Sequence, residues 1–96
     1  MLHEQPSPAP VVATLPPALL RLFPRATRRV EAAAATVSEL IDALDARWPG
    51  MRDRLCDSTP AIRRHINVFV DGRRASLETR LSPGTEVFVI TAISGG

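Results

Sequence analysis

Apolar positions along the chain change their period several times, and each change marks an element. Val11 to Leu15 is a short β-branched and apolar run stopped by Pro16-Pro17, which predicts a first strand. A proline at the first helical position lacks only an N–H that would have no partner there. One helical turn is therefore expected through Ala18, Leu19, Leu20 and Arg21, ended by Pro24. Arg28 to Ala32 returns as a second strand with Val30 inward. The period then becomes helical. Val37, Leu40, Ile41, Leu44 and Trp48 fall on one helix face, and Asp42, Asp45 and Arg47 fall on the other. Thr36-Val37-Ser38-Glu39 has the spacing of a capping box, in which the Thr hydroxyl accepts an amide and the Glu reaches back. Pro49-Gly50 ends this helix, predicted over Val37 to Trp48.

The second half alternates. Met51 to Cys56 predicts a short turn that buries Met51 and Leu55, and Asp57 to Pro60 reads as a loop. In His65 to Val70, Ile66, Val68 and Val70 share one face, with Asn67 and Phe69 on the other, which is the period of a strand. Asp71-Gly72 is a two-residue hairpin signal, because both central positions of that turn need positive φ. A short return over Arg73 to Leu77 follows, then a turn at Ser82-Pro83-Gly84. Glu86 to Thr91 is the last strand, with Val87 and Val89 on one face and Phe88 and Ile90 on the other. The order strand, strand, helix, strand, short strand, strand predicts an α+β fold, with one main helix packed across one face of a small mixed sheet.

Composition narrows the function classes. A chain of 96 residues buries a modest core and leaves little room for an enzyme pocket with many convergent side chains. It is read as one domain over 11–91, after a proline-rich leader over 1–10 that is expected to be disordered and before a flexible tail over 92–96. All 12 basic residues are Arg, spread among acids to a net charge of +2, and aromatics are sparse. That argues against a nucleic-acid partner, which calls for a concentrated basic stripe with aromatics in it. No apolar run approaches the ~20 residues needed to span a bilayer, so no membrane partner is expected. The one cysteine, Cys56, excludes an internal disulfide and suits a reducing, cytoplasmic setting.

Candidate chemistry is thin until the end of the chain. Cys56 has no partner thiol and reads as buried. His3 and His65 lack metal-ligand spacing, and no serine lies in a nucleophile-elbow or other triad motif. No catalytic residue, metal site or bound cofactor is expected. A helix covers only one side of the sheet, so Phe69, Phe88 and Ile90 are expected on the open side as a partner-docking patch, with Arg63 and Arg64 at its rim.

Several motifs together resemble the sulfur-carrier family that includes ThiS and MoaD, and within it the CysO-like carriers. They are Thr14-Leu15-Pro16 with Leu19-Leu20-Arg21; Thr36-Val37 opening a helix with Leu40 and Leu44; Arg63 with the run from His65 to Gly72; Leu81 to Gly84 before Glu86 to Ile90; and the final Ser94-Gly95-Gly96. The resemblance implies a ubiquitin-like β-grasp fold, with the first and last strands parallel at the centre of the sheet. It implies that an E1-like enzyme uses ATP to adenylate the Gly96 carboxylate, which a sulfur donor converts to a thiocarboxylate. A sulfur-acceptor synthase then takes the sulfur, for cysteine, molybdopterin, thiamin or a secondary metabolite. The chain itself would be a protein cosubstrate. Ser94, Gly95 and Gly96 would thread a narrow channel in the partner, which suits residues without a Cβ at the last two positions. A ubiquitin-like modifier forming isopeptide bonds, or a non-covalent interaction module, is the alternative.

Overall fold

The computed structural model describes residues 9 to 91. Five strands form one sheet: β1 (Val11–Thr14), β2 (Arg29–Ala32), β3 (Ile66–Val70), β4 (Arg73–Arg74) and β5 (Glu86–Thr91). Three helices accompany them: α1 (Pro17–Leu22), α2 (Val37–Arg47) and α3 (Met51–Leu55). The spatial order is β2-β1-β5-β3-β4. β5 lies between a parallel neighbour, β1, and an antiparallel one, β3. This is the expected β-grasp arrangement. All other pairings are antiparallel.

One face of the sheet meets α2. The strand residues turned to it are Val11, Ala13, Val30, Ala32, Ile66, Val68, Val70, Val87 and Val89, all buried. From α2, Val37, Leu40, Ile41 and Leu44 enter the same core. Met51 and Leu55 of α3 join it, as do Leu77 and Leu81 from the loop after β4. Each of the Val, Leu, Ile and Met side chains contributes roughly 1.5–3 kcal/mol by leaving water.

The start of α2 shows how the chain meets its backbone hydrogen-bond needs. The first N–H groups of a helix have no partner within it. Here Val37 N–H donates to the Thr79 carbonyl and Ser38 N–H to the Leu77 carbonyl, each at 3.0 Å. Glu39 N–H donates to Thr36 Oγ1 at 3.1 Å. The predicted capping box forms with one change: the Glu39 carboxylate accepts from Ala35 N–H at 2.8 Å, one residue before the cap. At the other end, Asp45 on α2 accepts from the N–H groups of Gly50 and Arg52, which anchors α3. Arg52 in turn forms an ion pair with Asp42 at 2.6 Å.

Several predicted boundaries move. β1 stops at Thr14, β2 starts at Arg29 and β3 starts at Ile66, while α1 runs to Leu22. Trp48 caps α2 and does not extend it. The largest change is the return strand, predicted to reach Leu77. It is β4, two residues long. Ser76 N–H turns to Thr79 Oγ1, and Thr79 N–H to the Ser76 carbonyl, so the chain leaves the sheet and carries Leu77 into the core. The Asp71-Gly72 turn has positive φ at both residues, 53° and 78°, as the hairpin requires.

Cys56 is buried at the end of α3. Burial pushes its thiol pKa up, and the nearby Arg52 opposes this only in part. It is a core residue and not an activated nucleophile.

Three outcomes follow from this packing. Leu44, at 0% exposure, changed to Ala should cost about 2–5 kcal/mol in chemical denaturation, through lost contacts and a cavity. Thr36→Ala should cost about 1 kcal/mol in the same assay, because Glu39 N–H loses its acceptor. Cys56 should react with a disulfide reagent at pH 8 at least ~10-fold more slowly in the folded chain than in urea; equal rates would contradict the burial.

Candidate functional site

The face of the sheet away from α2 carries its own pattern. The register sets Arg29, Thr14, Phe88, Phe69 and Arg74 in one row across all five strands. The two aromatics are directly opposed at its centre, an arrangement that favours ring contact. Arg29 and Arg74 lie at its two ends. Arg74 Nη2 donates to Asn67 Oδ1 at 2.6 Å, so its charge is held over the same face. In the next row towards the end of β5, Ile90 faces Asn67. In the opposite direction, Val12 lies between Glu31 and Glu86.

Among the predicted docking residues, Phe88 is 43% and Ile90 45% exposed, and Phe69 is half-buried. The three share the open face as the alternation required. Arg63 takes a different position. It precedes β3, where its Nε donates to the Asp53 carbonyl at 2.8 Å. It borders a surface groove of about 610 Å³ with Leu22, Phe23, Gly50, Arg54 and His65. That groove lies at the end of the sheet where β1 passes into α1 and β3 begins. Ile66, the first residue of β3, is opposite Thr91. Ser94, Gly95 and Gly96 lie outside the described residues.

Other surface features escaped the sequence reading. Leu22 is 51% exposed because α1 turns Leu19 into the core and leaves Leu22 outside. Its i, i+3 spacing from Leu19 would have placed it on the buried face, and its exposure comes from its position as the last residue of α1. Arg29 and Arg74 were legible as out-facing neighbours of Val30 and of the hairpin turn. Only the register shows that they flank the same two aromatics.

The described residues contain no cluster of three or more His, Cys, Asp or Glu able to hold a metal ion. Among them no helix is long and apolar enough to cross a membrane. The Asp57 carboxylate, held low by hydrogen bonds from the Thr59 hydroxyl and N–H, organises the loop before Ala61.

Comparison with known proteins gives this face a context. Sulfur carrier protein CysO of Mycobacterium tuberculosis is 29% identical over 86 residues, spanning 83% of this chain and 92% of the relative. A chain in the crystal structure of the Amycolatopsis orientalis BexX/CysO complex matches with a TM-score of 0.77 and 31% identity, over 90% of this chain and 99% of that one. Small archaeal modifier protein 1 from Haloferax volcanii matches with a TM-score of 0.75 and 27% identity, over 90% and 98% of the two chains. The family model described as the ThiS family matches residues 17–96, which includes the open-face strands β3, β4 and β5 and the final diglycine. The chain belongs to the ThiS family, a ubiquitin-like family of sulfur carriers and modifiers.

Proposed function

We propose that the protein is a sulfur carrier whose working group is the carboxylate of Gly96. The observation that carries this reading is the family match running through Gly96, on a sheet whose central strand ends five residues earlier, at Thr91. A carboxylate is a poor electrophile, because its charge is delocalised and oxide is a bad leaving group. An ATP-using E1-like enzyme joins the Gly96 carboxylate to AMP and releases pyrophosphate. A sulfur donor then attacks the acyl carbon, AMP leaves, and a thiocarboxylate remains. This group is an anion at neutral pH and a ready nucleophile towards an acceptor held by a second enzyme. Gly95 and Gly96 offer the partner channel only backbone.

The open face supplies the docking surface in this reading. Phe88, Phe69 and Ile90 form an apolar centre flanked by Arg29 and Arg74. It suits an apolar patch with acidic neighbours on an activating or acceptor enzyme. The likeness to CysO, found in complex with BexX in one neighbour, favours a biosynthetic acceptor. The likeness to small archaeal modifier protein 1 favours a second role, transfer of the same activated carboxyl to a target amine.

Incubation with a matching activating enzyme, ATP and sulfide should raise the intact mass by ~16 Da, the exchange of one oxygen for sulfur at the carboxyl group. The chain lacking Gly96 should show no change. An unchanged full-length mass, with an enzyme verified on another carrier, would refute the carrier reading; thiol-resistant conjugates on a denaturing gel would establish the modifier role.

Phe88→Asp should leave the circular dichroism spectrum intact yet slow activation by at least ~10-fold, as expected for loss of an interface anchor. Val87→Asp, one residue away on the buried face, should unfold the domain.

A further inference from the structure

The two edges of the sheet are finished differently. On β2 the outward carbonyls are occupied by side chains: Thr27 Oγ1 donates to Arg29 O at 2.9 Å and Arg47 Nη2 to Glu31 O at 2.7 Å. On the other side, β4 covers only Phe69 and Val70 of β3. Beyond it, Ala75 N–H donates to the Val68 carbonyl at 2.7 Å, and Ile66 N–H to the Arg63 carbonyl at 2.9 Å. The Ile66 carbonyl and the Val68 N–H point the same way and have no hydrogen-bond partner among the described residues. Val68 is 2% exposed. A buried N–H without a partner is rare and calls for an acceptor.

These two groups lie in a groove of about 290 Å³ between the Pro60–Arg64 segment and the Ala75–Glu78 segment. A carbonyl at Ile66 and an N–H at Val68 are what one residue of a parallel strand uses when it lies beside Asn67. An antiparallel strand would use the same two groups through the residues on either side of the one opposite Asn67, and the end it brings to Val68 would be an amino terminus. Ala75 blocks the edge immediately beyond Val68, so an added strand cannot run on along β3. The groove therefore suits a chain end. Its lining carries Arg63, Arg64 and Arg74 against one acid, Glu78, a formal charge of +3 − 1 = +2. A carboxylate fits that excess.

We propose that this groove binds the free C-terminus of a partner protein. The partner's last residue donates its N–H to the Ile66 carbonyl, and one carboxylate oxygen accepts from Val68 N–H. The guanidinium groups along the lining, Arg64 foremost, complete the anion site. The site lies on the edge of the sheet, faces away from β5, and does not involve Gly96. It would let the protein hold one partner by its chain end while the open face engages another.

The test is a titration of the ¹⁵N-labelled full chain with two pentapeptides, acetyl-Glu-Val-Asp-Val-Val with a free carboxylate and the same sequence as its C-terminal amide. The free acid should shift the amide signals of Ile66 to Val68 and Ala75 and slow hydrogen exchange at Val68. The amide should bind at least ~10-fold more weakly, as should the free acid to the Arg64→Glu chain, because each loses a charge-assisted pairing. Equal affinity of acid and amide would overturn the proposal. So would shifts centred on Phe88, or no shifts up to ~5 mM peptide, an affinity too weak to matter.

Discussion

The parallel pairing of β1 with β5 is the contact on which the remaining structure depends. It joins Val12, Ala13 and Thr14 to Glu86, Val87 and Phe88, residues from opposite ends of the sequence. Closing so long a loop is entropically costly, and burial must offset it. Ala13 and Val87 are both fully enclosed under α2. Once this pair forms, β2 and β3 have only one available edge each, and α2 must cross the sheet to connect them. The central strand is thereby paired on both sides over Glu86 to Phe88, and on the β3 side the pairing runs on to Thr91.

One helix layer covers one face, and the consequence is chemical. The side chains that alternate away from α2 have no layer to bury them, so Phe88 and Ile90 remain in water at a cost. An apolar group kept exposed on a rigid strand is pre-organised for a partner and loses little entropy on binding. The flanking arginines, one of them tied to Asn67, add charge without filling the centre. A face of this kind suits contact with another protein.

The loop after β4 has two roles. Its carbonyls at Leu77 and Thr79 satisfy the first amides of α2, and Leu77 and Leu81 close the core beneath. To do so it must leave the sheet after two residues of β4. The unpaired stretch of β3 is thus the direct result of capping the helix. By contrast, β2 is closed off by Thr27 and Arg47, which protects it from pairing with another chain.

Residue pattern alone settled the elements, since periodicity reports which side of a helix or strand is apolar. The α2 face, its capping box, the Asp71-Gly72 hairpin and the division of β5 into Val87/Val89 and Phe88/Ile90 were all legible there. So was the family, through motifs spread from Thr14 to Gly96. The early end of β4 was not, because Arg73 to Leu77 has strand-like neighbours and only the distant start of α2 shows where its carbonyls are needed. Nor was the position of Arg63, which depends on a backbone carbonyl at Asp53 in another element. The pairing of Phe69 with Phe88 and the placement of Arg29 and Arg74 around them are facts of register. Register arises only when strands meet, so the chemistry of the open face was decided by tertiary structure.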